Sequence, residues 1–157
     1  MIRGVHHLAI STPDLDRFVD HYKRWFGFER CAEGCWERGN ARVDRMVGLP
    51  DSTAKYVMIQ LGGFYVEVFE FVAPLGVPVH PRMCDIGLTH LCLYCDDVFA
   101  EYERLRGLGM EFNCPPGGEA ATRATYGRDC DGNVVELLQI VDPSCGFAFG
   151  AKDAVAD

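Results

Sequence analysis

His7-Leu8-Ala9-Ile10-Ser11-Thr12-Pro13-Asp14-Leu15 and His90-Leu91-Cys92-Leu93-Tyr94-Cys95-Asp96-Asp97-Val98 are two copies of one pattern. In each, a histidine opens an apolar run and an aspartate follows seven residues later. Self-similarity on this scale makes two alike modules the first expectation. After each aspartate the apolar residues take helical spacing: Leu15, Phe18, Val19, Tyr22 and Phe26, then Val98, Tyr102, Leu105 and Leu108. Asp14 and Asp97 stand where helix N-caps belong, since a short carboxylate accepts from the unpaired N–H groups of the first turn. Gly27 and Gly109 stand where the helices stop, because glycine takes the left-handed conformation without a steric cost.

The two halves also end alike. Gly63-Phe64-Tyr65-Val66-Glu67-Val68 parallels Gly132-Asn133-Val134-Val135-Glu136-Leu137, with glutamate four residues after glycine in both. The histidines stand 83 positions apart (90 less 7) and the glutamates 69 (136 less 67). The first half is therefore about 14 residues longer in its middle. The excess is placed between Glu37 and Lys55, where Gly39-Asn40, Gly48 and Pro50-Asp51 supply breakers. Each half reads strand, helix, then strands: 3–11, 14–26, 28–37, 55–61 and 64–71, followed by 87–95, 97–108, 110–113, 122–128 and 133–140. The expected organisation is α+β, with modules at 1–72 and 87–141, a proline-rich linker at 73–86 and a tail at 142–157.

Bulk composition narrows the function classes. Of 157 residues, 48% are hydrophobic, which suits a packed globular chain. A net charge of −8 argues against a nucleic-acid surface, which needs a basic face. No apolar run approaches the roughly 20 residues of a membrane span, and the start lacks a signal-peptide layout, so the expected location is cytoplasmic. The eight cysteines do not repeat in spacing, and Cys92 and Cys95 fall on opposite faces of a strand. They are read as reduced, buried, structural residues.

Four polar residues interrupt this apolar pattern. By strand alternation Glu67 shares a face with Tyr65 and Phe69, Glu136 with Val134 and Leu138, His90 with Leu88 and Cys92, and His7 with Val5 and Ala9. A carboxylate on such a face costs several kcal/mol unless its charge is compensated. One divalent metal compensates it, and two carboxylates with two imidazoles suit Fe, Mn, Co, Ni or Zn. The expected ligands are His7, Glu67, His90 and Glu136, one His–Glu pair from each half. By parity His6 points away from His7, and Glu70 away from Glu67, to the surface. His21 and His80 are read as surface residues.

Those residues resemble the vicinal oxygen chelate superfamily, which includes glyoxalase I, methylmalonyl-CoA epimerase, fosfomycin-resistance enzymes and extradiol dioxygenases. The carrying motifs are Val5-His6-His7-Leu8-Ala9-Ile10 with Asp14, Phe64 to Glu70, Gly87-Leu88-Thr89-His90-Leu91 with Asp97, and Asp131-Gly132-Asn133-Val134-Val135-Glu136. The resemblance covers the chain to about Ile140 and implies two tandem βαβββ modules forming a curved sheet around a metal site. His7, Glu67, His90 and Glu136 fall on the family's four ligand positions. The implied function is a divalent-metal-dependent isomerase, epimerase or lyase acting on a small oxygenated metabolite through a metal-chelated enolate, with Glu136 and Glu67 as candidate bases. Glu37 and Asp44 are candidate carboxylates off the metal, Arg123 and Arg128 candidate anion contacts, and Tyr65, Phe69 and Tyr94 candidate pocket walls. The alternatives are an Fe(II) ring-cleaving dioxygenase of extradiol type and a small-molecule binding or resistance protein. The expected partners are a small-molecule substrate and a second copy of the chain as a homodimer, without nucleic acid or membrane.

Overall fold

The structure, a computed structural model, describes residues 1–148. The chain divides into two compact units, Met1–Val79 and a second beginning at His80. In the first, β1 (His7–Ser11), α1 (Leu15–Phe26), β2 (Glu29–Trp36), α2 (Ala41–Val47), β3 (Thr53–Leu61) and β4 (Phe64–Ala73) follow one another. Their sheet has the order β1-β4-β3-β2, with β1 parallel to β4 and the other neighbours antiparallel. In the second, β5 (Leu91–Tyr94), α3 (Val98–Gly107), β6 (Glu111–Phe112), β7 (Thr122–Arg128) and β8 (Val134–Ile140) give the order β5-β8-β7-β6. Apart from α2, both units are βαβββ modules, and the architecture is α+β with two four-stranded sheets.

Each module buries one face of its sheet under its long helix. In the first, Leu15, Phe18, Val19, Tyr22 and Trp25 of α1 join Val57, Ile59, Val66 and Val68 as buried residues. In the second, Val98, Tyr102 and Leu105 join Val135 and Leu137. Each large side chain so buried contributes about 1.5–3 kcal/mol. Trp25, not Phe26, closes the stripe of α1. Phe26 lies next to the Gly27 cap and turns its ring edge-on to Tyr22.

The repeat extends to individual hydrogen bonds. Asp14 accepts from Arg17 N–H, and Asp97 from Phe99 and Ala100 N–H, as helix N-caps. Thr12 N–H donates to Phe69 C=O at 2.8 Å, and Cys95 N–H to Leu138 C=O at 2.9 Å. Glu70 accepts from Leu15 N–H at 3.0 Å, and Gln139 accepts from Val98 N–H at 3.4 Å. In both modules the residue three places after the candidate ligand glutamate thus closes off the next helix start.

Several expectations need correction. The first strand begins at His7 rather than residue 3, and the fifth at Leu91 rather than 87. Their parallel partners run out: His7 pairs with Tyr65 just after the Leu61–Phe64 turn, and Leu91 with Val135 just after the Asp129–Gly132 turn. The supposed breakers between Glu37 and Lys55 bracket a helix, with Asn40 capping α2 at its start and Gly48 at its end in the left-handed region. Glu70 is not a surface carboxylate, since Leu15 N–H and Lys55 both hold it. All eight cysteines are free, as expected, but none is buried: five are exposed and three half-buried. Cys31, Cys35 and Cys92 lie on the edge strands β2 and β5, and the other five lie outside the strands. Of the expected 142–157 tail, residues beyond 148 lie outside the described residues.

Candidate metal centre

Alternation along β4 sends Val66 and Val68 to the helix and Tyr65, Glu67 and Phe69 to the other face, all three half-buried. The candidate ligands therefore occupy the sheet face that no helix of their module covers. On that face of the first unit, His7 Nε2 lies 3.3 Å from Glu67 Oε2. In the second unit, His90 Nε2 lies 3.0 Å from Glu136 Oε2. The four sequence-selected residues thus form two equivalent His–Glu pairs, one per module. The strand register is responsible: Ala9 faces Glu67 and Cys92 faces Glu136, so each histidine stands two residues ahead on the neighbouring parallel strand.

Each imidazole is backed on its second nitrogen by the preceding residue. His7 Nδ1 meets His6 Nδ1 at 2.9 Å, and His90 Nδ1 meets Thr89 Oγ1 at 2.8 Å. His6 and Thr89 occupy the same position of the repeat. With Nδ1 as donor to those partners, both histidines present an Nε2 lone pair toward the carboxylates. His6 does not turn away, as strand parity would have it; it precedes β1 and stacks on Tyr65 with ring centroids 5.1 Å apart.

Glu136 has further neighbours. Tyr126, its cross-strand partner, donates its hydroxyl to Glu136 Oε1 at 2.9 Å and meets the His90 ring edge-on. Burial, together with that hydrogen bond, pushes the Tyr126 phenol up to about 12. Cys92 is exposed overall, yet burial around its thiol and then the adjacent Glu136 carboxylate push it up to about 12 as well. Its thiol is therefore a poor nucleophile at neutral pH. Glu67 lies across from Met58 instead of a tyrosine, so the two carboxylates differ in support.

Imidazole Nε2 and carboxylate oxygens about 3 Å apart, with the outer imidazole nitrogens already engaged, suit a divalent cation of the first transition row. Among the described residues, no group of three or more His, Cys, Asp or Glu gathers to hold an ion. A four-ligand site needs both pairs.

The remaining candidates have other duties. Asp44 on α2 accepts from Asp51 N–H, Ser52 N–H and the Ser52 hydroxyl, the last at 2.7 Å. The Ser52 hydroxyl, chiefly, holds its carboxyl below the ordinary 3.8, so Asp44 is a latch for the β3 start rather than a base. Glu37 is exposed after β2. Arg128 donates to Pro81 and Gly132 C=O, clamping a turn, and Arg123 lies over the Phe99 ring. His21 reaches Arg17 C=O at 2.8 Å, and exposed His80 sits against Gly132. Tyr94, exposed, faces Leu138 on the Glu136 side of its sheet. Sequence reasoning missed Tyr126, Thr89 and the role of His6. The positions preceding each histidine were a usable signal, because the repeat aligns them; Tyr126 needed the β7–β8 register.

Two βαβββ modules presenting matched His–Glu pairs define a class of paired-module α+β proteins. The model for the Glyoxalase/Bleomycin resistance protein/Dioxygenase superfamily matches residues 4–137, and the chain belongs to that superfamily. It is 35% identical over 150 residues to 2-epi-5-epi-valiolone epimerase from Actinomyces sp, covering 87% of this chain and 79% of the relative. It is 24% identical over 143 residues to mitochondrial methylmalonyl-CoA epimerase from Homo sapiens, covering 86% and 73%. A glyoxalase family protein from Bacillus cereus shares the fold at a TM-score of 0.80 and 18% identity, over 90% of this chain and 96% of that one. The fosfomycin resistance protein FosX from Listeria monocytogenes, solved with Mn(II) and sulfate, matches at 0.60 and 19%, over 88% and 93%. Among the described residues, no helix is long and apolar enough to cross a membrane.

Proposed function

We propose that the chain is a divalent-metal-dependent epimerase that moves a proton at a carbon next to a carbonyl. The observation that carries this reading is the repeated His–Glu pair, each with its imidazole backed from behind. Relatives named as epimerases at 35% and 24% identity support the reaction type over lyase or ring-cleaving chemistry. His7, Glu67, His90 and Glu136 would hold the ion. When bound, it would supply Lewis-acid stabilisation of the negative charge that develops on substrate oxygen.

The two carboxylates divide the proton traffic by their surroundings. Tyr126 ties Glu136 down by a donated hydrogen bond. Glu67 faces Met58 and has His7 as its polar neighbour, so it is freer to swing and take the substrate proton. Epimerisation returns a proton to the opposite face of the carbon; the Tyr126 hydroxyl, which holds the only proton of the Glu136–Tyr126 pair, is the donor for that step and is reprotonated from water.

A homodimer belongs to the proposal. Val5 and Leu88, each two residues before a ligand histidine, are 86% and 79% exposed. Apolar residues exposed at matched points of a repeat are what a self-associating surface offers. The decisive experiment joins metal analysis with solvent exchange. One ion per chain and deuterium entering the substrate carbon from D₂O are expected, with Glu67→Gln slowing exchange about 100-fold or more. Absence of stoichiometric metal after reconstitution, or oxygen uptake with catechols, would overturn the reading.

A further inference from the structure

The insertion that lengthens the first module carries cations that nothing in the chain answers. Among the described residues, every lysine and arginine except Arg3, Arg38, Arg42 and Arg45 has a partner for its side chain. Arg38, Arg42 and Arg45 lie in α2 or in the turn before it, and all three are exposed. Glu37 and Asp51, the acids on either side of the insertion, form no ion pair with them among the described residues. Asp44, the acid within α2, turns inward to Asp51 N–H, Ser52 N–H and the Ser52 hydroxyl.

For the fold alone these positions are unfavourable. Arg42 and Arg45 stand three residues apart and share a helix face, where like charges repel. Arg38 and Arg42 stand at the start of α2, the positive end of its dipole, which favours an acid. The helix buries none of its residues, so the arginine stems cover no core. Met46 follows Arg42 by four residues on the same face and is 73% exposed. The face is nevertheless fixed in place. Asp44 latches α2 to fully buried Ser52, whose hydroxyl also accepts the Trp36 indole N–H at 2.8 Å. A surface held in advance loses little freedom when it is covered.

Charge repulsion that the chain leaves unanswered points to an anion outside it, and the shape and net charge narrow the kind. Small anions are bound in concavities, whereas the outer side of this helix is exposed throughout. A membrane or a nucleic acid spreads its charge widely and meets the whole chain, whose net charge is −8. A short acidic segment meets the patch alone.

We propose that the outer face of α2 is a docking surface for an acidic segment of another protein, with carboxylates one helical turn apart beside an apolar side chain. The guanidinium forks of Arg42 and Arg45 grip the carboxylates through paired N–H donors. The apolar side chain covers Met46. Docking here is independent of the epimerase reaction.

Met46 supplies the readout, because its methyl group lies on this face while Met110 is 3% exposed. The full chain, labelled at its methionine methyls, is titrated by NMR with a short poly-L-glutamate at low salt. The expected result is a shift of the Met46 signal without one of Met110, with affinity falling as salt rises. The Arg42→Gln, Arg45→Gln double variant binds about tenfold or more weakly, whereas Arg3→Gln changes affinity less than about twofold. Met46→Ala, followed by intrinsic fluorescence, keeps the charges and binds about threefold more weakly. No Met46 shift at low salt, or an equal loss in Arg3→Gln, overturns the surface. A double variant that melts about 5 °C or more below the parent marks the arginines as structural and overturns it too. A stronger Met46 response to phosphatidylglycerol vesicles replaces the protein partner with a membrane. A stronger response to tripolyphosphate replaces it with a small anion.

Discussion

The Tyr126 hydroxyl and the Asp44 carboxylate make similar hydrogen bonds with different consequences. Tyr126 touches Glu136, and a side chain that orients a ligand typically contributes 10–100-fold to metal affinity. Tyr126→Phe keeps the ring against His90 and removes only the donor. It is expected to weaken metal binding about tenfold in competition with a chelator, while the thermal midpoint of metal-free protein barely moves. Asp44 acts on stability instead. Its folded carboxyl binds a proton less readily than an ordinary one at 3.8, chiefly because of the Ser52 hydroxyl. Its stabilising effect is therefore complete above that value and is lost as pH falls through the lower folded value. Asp44→Asn should melt earlier than the parent at pH 7, and the gap should close below about pH 3.8. An equal gap at pH 7 and pH 3 would refute the latch.

At the scale of elements, the two helix starts repeat the same chemistry with different residues. Glu70 and Gln139 stand three places after Glu67 and Glu136 and accept from Leu15 and Val98 N–H. Glu70→Ala leaves the α1 start without that acceptor and should cost about 1–2 kcal/mol in urea unfolding. Glu70→Gln copies the second module, keeps an acceptor and loses only the pair with half-exposed Lys55, so less than about 1 kcal/mol is expected. Asp14→Ala and Asp97→Ala should each cost about 1 kcal/mol as lost N-caps. Both long helices were legible because cap, apolar stripe and stop signal agree locally. α2 was not: Asn40 and Gly48 are breakers or caps depending on whether the seven residues between them find a partner, and the Asp44–Ser52 latch supplies it.

For the whole molecule, the question is which chains share a site. A homodimer that shares its sites gives each ion the His7–Glu67 pair of one chain and the His90–Glu136 pair of the other, whereas one that does not keeps both pairs in one chain. With shared sites, mixing inactive Glu67→Gln and Glu136→Gln chains leaves one intact site in each mixed dimer, and about a quarter of parental exchange activity returns. No recovery would place both pairs of a site in one chain. By itself the sequence determined the repeat, the two helices with their caps, and the four ligand candidates, because these are written in local periodicity and in aligned positions of the two halves. Tertiary structure decided what those signals do not encode. It started β1 and β5 where their parallel partners begin, and it brought Tyr126 to Glu136 by cross-strand register. It also turned the aromatic strand positions away from the helix-packed core. Alternation tells which residues share a face, but only packing decides which face is buried and which remains open to a ligand.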